Sequence, residues 1–148
     1  MLVEGLAVTQ HPKTRAGTLR VLIADDDATV RAALTELLQS RSDLLLVGAA
    51  VDARQAISMA ATRHPDVALI DYRMPGGGDY ATKEIIRRSP GTTVLCLSAY
   101  DNPATKRKML QAGAKDFLVK GVSTIEEIIA SIVIAGTARE QHDQRTVG

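Results

Sequence analysis

Short apolar runs alternate with helical patterns along most of this chain, and this alternation restricts the possible folds more than any other feature. Between the runs, apolar residues recur at the three- and four-residue spacing of amphipathic helices. Such alternation is typical of βαβ units, which build a parallel sheet covered by helices on both faces. We therefore predict one α/β domain of five strand–helix pairs over residues 19–136, between tails at 1–18 and 137–148. The predicted strands are residues 19–24, 44–47, 67–71, 93–98 and 116–120.

Carboxylate, hydroxyl and amine side chains lie at the ends of four predicted strands. Asp25 and Asp26 follow the first strand and Asp71 ends the third. Ser98 ends the fourth and Lys120 the fifth. In an open parallel sheet, ligands bind beyond the carboxyl ends of the strands, where the strand order reverses. We therefore expect these groups to meet at one edge of the sheet.

Carboxylates gathered at one edge repel each other by about 4 kcal/mol per close pair at an effective dielectric constant near 20. A hard divalent cation relieves that repulsion. Magnesium prefers oxygen ligands and keeps several waters, which leaves positions for phosphate oxygens. An aspartate can act as the nucleophile on phosphorus, with a lysine and the metal neutralising the phosphoryl oxygens. The residue types therefore favour Mg²⁺-dependent phosphoryl transfer to an aspartate.

The composition narrows the functional class further. The 18 basic and 17 acidic residues leave a net charge of +1, without the positive field that nucleic-acid binding requires. No apolar segment has the length needed to span a bilayer, and the start of the chain lacks the pattern of a signal peptide. The single cysteine, Cys96, lies within an apolar run and excludes a disulfide framework. We expect a cytoplasmic protein that binds neither nucleic acid nor membrane directly.

Five motifs in this order resemble the receiver domain of two-component response regulators. They are the pair Asp25 and Asp26, Asp71 with Met74 and Pro75, the pair Ser98 and Ala99, Phe117, and Lys120. The resemblance covers about residues 19–136. Residues 66–76, and a glycine rather than a proline after Lys120, are most similar to receivers of LuxR-type transcriptional regulators. The family implies a flavodoxin-like (βα)5 fold, a doubly wound parallel sheet with strand order 2-1-3-4-5.

The resemblance also implies a role for each motif. Asp71 would accept a phosphoryl group from a sensor histidine kinase or a small acyl phosphate. Mg²⁺ would be held by Asp71, Asp26 and the backbone carbonyl of Arg73, with Asp25 acting mainly through water. The chain would then be a phospho-accepting signalling domain rather than an enzyme, and homodimers are compatible with that role.

Further residues would read or preserve the phosphorylated state. The family pattern assigns Lys120, Ser98 and Ala99 to phosphate binding, and Phe117 to the conformational switch that follows. As the only phenylalanine, Phe117 is equally well explained as a core aromatic. Arg73 and Tyr100 occupy the positions two residues after the acceptor and the hydroxyl residue. Both are bulky, so we expect them to shield the phosphoryl group from hydrolytic water.

Two alternatives remain open from the sequence. The chain could be the receiver fragment of a DNA-binding transcriptional regulator. It could also be a phosphatase of the haloacid dehalogenase type, with Asp25 as nucleophile and Asp27 and Thr29 completing the motif. No acidic pair follows Lys120 on a further strand, as that motif would require, and the Asp71 motif would have no explanation. Asp27 is better explained as the cap of the first helix.

One segment departs from the receiver pattern. Receivers usually have glycine eight residues after the acceptor, but this chain has Asp79 there, after three consecutive glycines at 76–78. The glycine run lacks the lysine and hydroxyl residue of a P-loop. We interpret it as a mobile loop, with Asp79 able to cap the helix that follows.

Overall fold

The computed structural model describes the backbone of residues 18–147 and the side chains of residues 18–138. The predicted N-terminal tail therefore lies almost wholly outside the described residues. The strands are β1 (Leu19–Ala24), β2 (Leu44–Ala50), β3 (Val67–Ile70), β4 (Thr93–Ser98) and β5 (Asp116–Val119). The helices are α1 (Ala28–Gln39), α2 (Ala53–Arg63), α3 (Gly78–Arg88), α4 (Pro103–Ala112) and α5 (Ile125–Val147). Among these described helices, none is long and apolar enough to cross a membrane.

The five strands form one parallel sheet in the order β2-β1-β3-β4-β5, which confirms the predicted fold class. Each face of the sheet carries its own apolar core. Leu22 belongs to the cluster with α2, α3 and α4, whereas its neighbour Ile23 belongs to the cluster with α1 and α5. All four residues of β3 are buried because this central strand is covered on both faces.

Helix ends follow local signals in the sequence. Asp27 precedes α1, and its carboxylate accepts hydrogen bonds from the backbone N–H groups of Thr29 and Val30, as expected of an N-cap. Asn102 caps α4 in the same way. Gly113 ends α4 in the left-handed region, at φ +118°, where glycine carries no steric penalty. These short-range interactions set the boundaries of α4.

From the sequence we predict that the last helix ends near Gly136, the last residue of the predicted domain, but the structure differs. Helix α5 continues to Val147, through most of the segment predicted as a C-terminal tail. Gly136 is not a stop signal: a Cβ at this position would lie 2.6 Å from two methyl carbons of Leu19. The glycine allows α5 to approach β1 closely. The requirement is a tertiary one, so the residue type alone led to the wrong interpretation.

Candidate site at the carboxyl edge of the sheet

Three carboxylates meet where β1 and β3 end. One oxygen from each of Asp25, Asp26 and Asp71 lies within 4.8 Å of the others. Asp25 and Asp71 are buried, whereas Asp26 is exposed. The sheet places the buried pair directly, because the Asp25 N–H donates to the carbonyl of Ala50 and the Asp71 N–H to that of Ala24, each at 3.0 Å. The acidic residues identified in the sequence therefore share one site.

Lys120 supplies the positive charge inside this site. Its Nζ lies 2.6 Å from Asp25 Oδ2 and 3.5 Å from Asp71 Oδ2. The backbone N–H of Lys120 donates to the carbonyl of Ser98 at 2.9 Å, which aligns the ends of β4 and β5. The ammonium group thus bridges both buried carboxylates, and its shorter contact is to Asp25 rather than to the expected acceptor.

Burial and neighbouring charges shift the pKa values of Asp71 and Lys120. Burial, followed by the charge of Asp25, raises the pKa of Asp71 to about 6, against the opposing effect of Lys120. Burial lowers the pKa of Lys120, but Asp25 and Asp71 together outweigh it and raise that pKa above its ordinary value. At neutral pH the site therefore holds an ionised Asp71 opposite a firmly protonated lysine.

The donor set fits a hard divalent cation. Three aspartates offer oxygen ligands in one cluster, which is the chemistry that Mg²⁺ prefers. Exposed Asp26 leaves one side of the cluster open to water and to an incoming phosphate. One lysine does not neutralise three carboxylates, so the cluster retains negative charge for a cation to balance.

Ser98 ends β4, the strand next to β3, and Phe117 lies on β5, the strand beyond it. Ser98 is fully buried, and its Oγ accepts a hydrogen bond from the Tyr100 N–H at 3.0 Å. Ala99 is exposed beside it. Phe117 is half-buried and packs against the apolar cluster of α2, α3 and α4. Its packing agrees with the interpretation as a core aromatic, and the switch role stays a prediction.

Arg73 and Tyr100, which the sequence places on separate loops, contact each other. The guanidinium carbon of Arg73 lies 4.4 Å from the centre of the Tyr100 ring, within the range of a cation–π interaction. The loops after β3 and β4 are thereby joined beside the acidic cluster. Residue spacing contains no signal for this contact, because the two loops are brought together only by the pairing of β3 with β4.

The glycine loop is more tightly constrained than the sequence suggested. A Cβ on Gly78 would lie 2.2 Å from the carbonyl oxygen of Asp71, so only glycine fits against the backbone there. Gly77 is the N-cap of α3, at φ +87°, and makes no side-chain cap. The expectation that Asp79 caps α3 is wrong: it lies within the first turn, and its carboxylate accepts from the adjacent Tyr80 N–H. The sequence drew attention to the glycine run as a whole, but it gave no signal that Gly78 lies against the backbone of Asp71.

Comparisons with known proteins agree with this geometry. The family model for the response regulator receiver domain matches residues 21–133. The response regulator GacA of Pseudomonas viridiflava is 34% identical over 120 residues, which are 80% of this chain and 56% of GacA. The probable transcriptional regulatory protein NarL of Mycobacterium tuberculosis is 35% identical over 123 residues, 82% of this chain and 56% of NarL.

Solved structures give the same result. The signal receiver domain of the putative response regulator NarL from M. tuberculosis has a TM-score of 0.75 at 35% identity, over 81% of this chain and 97% of that domain. The response regulator domain of Thermotoga maritima CheB also has a TM-score of 0.75, at 30% identity, over 81% of this chain and 97% of that domain.

The fold and the site define a doubly wound α/β domain with an acidic cluster at the carboxyl edge of its sheet. Together with these matches, they show that the chain belongs to the response regulator receiver domain family, whose members are components of two-component systems. The chain spans about half the length of the GacA and NarL proteins that it matches.

Proposed function

We propose that this receiver domain is phosphorylated on Asp71 in a Mg²⁺-dependent reaction. The observation that supports Asp71 most strongly is its position directly after the central strand β3. The acidic pair at the end of β1 lies on one side, and Ser98 at the end of β4 lies on the other. No other carboxylate in the described part of the chain stands between an acidic pair and a buried hydroxyl at strand ends.

The reaction follows from these groups. A carboxylate oxygen of Asp71 attacks phosphorus, and the bond to the leaving group breaks, releasing imidazole from a phosphohistidine or acetate from acetyl phosphate. Lys120 would neutralise a phosphoryl oxygen, and Ser98 would donate a hydrogen bond to another. Asp25, Asp26 and Asp71, with the carbonyl of Arg73, would hold Mg²⁺, which balances the charge on the transferring group when bound.

The same scheme accounts for the proposed partners. We propose a sensor histidine kinase as the phosphoryl donor, because receivers of two-component systems are its substrates. The domain itself would turn over no other substrate. One relative, a protein-glutamate methylesterase of Hahella chejuensis, is 43% identical over 106 residues, 70% of this chain but only 27% of that enzyme. Enzymes and transcriptional regulators are therefore both found among the relatives, and transcriptional control is the output that the NarL relative favours.

Intact mass spectrometry after incubation with acetyl phosphate tests the acceptor. The parent chain should gain one phosphoryl group with Mg²⁺ and none with a chelator. Asp71→Asn should abolish the gain, while the control Asp79→Asn, in the first turn of α3 and outside the cluster, should retain it. Labelling that persists in Asp71→Asn, or phosphate traced to Asp25, would refute the assignment and favour the phosphatase alternative. Against that alternative, Asp27 is occupied as a helix cap.

A further inference from the structure

A groove between α2 and α3 lies away from the acidic cluster and has no role in phosphoryl transfer. Its apolar lining comes from Ala53, Ile57 and Ala61 on α2. Tyr80 on α3 forms part of its wall and is 55% exposed, an unusual degree for a large aromatic side chain. The groove therefore offers an apolar surface with one aromatic anchor.

Positive charge borders this surface without a matching acid. Arg54 and Arg88 line the groove, and none of its lining residues is Asp or Glu. Arg54 makes no ion pair among the described residues. Arg88 contacts Glu84 at 3.4 Å, but Arg87 holds the same carboxylate more closely, at 2.7 Å. One carboxylate shared by two guanidinium groups leaves a net positive charge at the groove.

The shape of the groove favours a chain segment over a small anion. Its lining runs along α2 from Ala53 to Thr62. At 1.5 Å per residue this is about 13 Å, the length of roughly four residues of extended peptide. The ends of the lining also include Gly76, in the loop that follows Asp71. A segment bound here would contact the same loop that carries the acceptor.

We propose that this α2–α3 groove binds an acidic peptide segment of a partner protein, with one aromatic or apolar side chain packed against Tyr80 and carboxylates paired with Arg54 and Arg88. The two arginines favour a peptide with acidic residues at both ends, because opposite charges attract. The apolar lining favours an aromatic or apolar side chain in the middle of the peptide. The proposal concerns a site separate from Asp71 and does not depend on phosphorylation.

The probe is a fluorescein-labelled peptide with one phenylalanine flanked on both sides by glutamates. The neutral control peptide has glutamines in place of the glutamates. Fluorescence anisotropy should show that the acidic peptide binds more tightly and loses affinity as salt is raised. Amide chemical-shift changes should concentrate on α2 and, within α3, around Tyr80 and Arg88. We expect Arg54→Ala, Arg88→Ala and Tyr80→Ala each to weaken binding about tenfold, the loss of affinity that is typical when an important interface residue is truncated.

Arg107→Ala, at an exposed arginine on α4 that does not line the groove, is the matched control for loss of a positive charge. It should leave peptide affinity unchanged, and circular dichroism should show that all four variants remain folded. Equal weakening by Arg107→Ala, or equal binding of the neutral peptide, would overturn the proposal. So would the absence of shifts on α2 at millimolar peptide.

Discussion

The guanidinium group of Arg73 stacks on the ring of Tyr100, with 4.4 Å between the guanidinium carbon and the ring centre. Arg73 follows β3 by three residues and Tyr100 follows β4 by two, so the contact joins the two loops that border the proposed phosphorylation site. Water must approach the phosphorus in line with the bond that breaks, and two stacked side chains obstruct such an approach better than two independent ones.

We therefore expect the stacked pair to slow loss of the phosphoryl group. An exposed cation–π contact is worth about 0.5–1 kcal/mol, which corresponds to a two- to fivefold faster decay when it is removed. Arg73→Ala and Tyr100→Ala should each accelerate decay, and the double variant should add less than the sum, because either single change already removes the contact. The decay is followed by intact mass after removal of acetyl phosphate.

Arg107→Ala, an exposed arginine on α4, serves as the control for loss of positive charge. Its decay rate should match that of the parent. Decay rates that do not differ between the parent and the double variant would show that the pair gives no protection.

The acidic cluster should cost stability when no metal is present. Asp26 is exposed, so its repulsion with the buried carboxylates is partly screened by water, and Asp26→Asn should raise the metal-free free energy of unfolding by about 1 kcal/mol. Magnesium at ten times its dissociation constant should stabilise the parent by about 1.4 kcal/mol and the variant by less. Urea titrations with chelator and with magnesium provide all four values. Destabilisation by Asp26→Asn without metal, in a parent insensitive to magnesium, would contradict a shared site.

Asp71 should also make metal-free stability depend on pH. Its pKa is raised from 3.8 to about 6 in the folded protein, so between these values the folded state binds a proton that the unfolded state does not. Stability should therefore rise as the pH falls from 7 towards 5, and this contribution should be absent in Asp71→Asn. Urea unfolding at several pH values measures the slope. The control Asp79→Asn should keep the slope of the parent, and an unchanged slope in Asp71→Asn would assign the effect to another group.

Gly78→Ala tests how the glycine loop supports the acceptor. The added methyl group would meet the Asp71 carbonyl oxygen at 2.2 Å, so the backbone must shift. We expect a loss of about 1–3 kcal/mol in the free energy of unfolding, as for an overpacked core site, with slower phosphorylation.

Gly121→Ala is the comparison, since Gly121 has φ +80° but no atom near the added carbon. It should lose about 1–2 kcal/mol from backbone strain while phosphorylation proceeds at the parent rate. Equal phosphorylation rates in the two variants would argue against a supporting role for Gly78.

The sequence by itself determined the order of strands and helices and the residues at the carboxyl ends of the strands. Apolar periodicity is set by the geometry of each element, and caps such as Asp27 and Gly113 act over a few residues. Because parallel strands end at the same edge of a sheet, strand-end positions were enough to predict that Asp25, Asp71 and Lys120 would meet.

Only the tertiary structure decided which of these groups touch, and how closely. Lys120 lies nearer to Asp25 than to Asp71, and Gly136 lies against Leu19 instead of ending α5. Arg73 and Tyr100 stack although 26 residues lie between them in the sequence. Each relationship depends on distances between elements remote in the chain, set by strand pairing and core packing. Local patterns of residue types do not determine those distances.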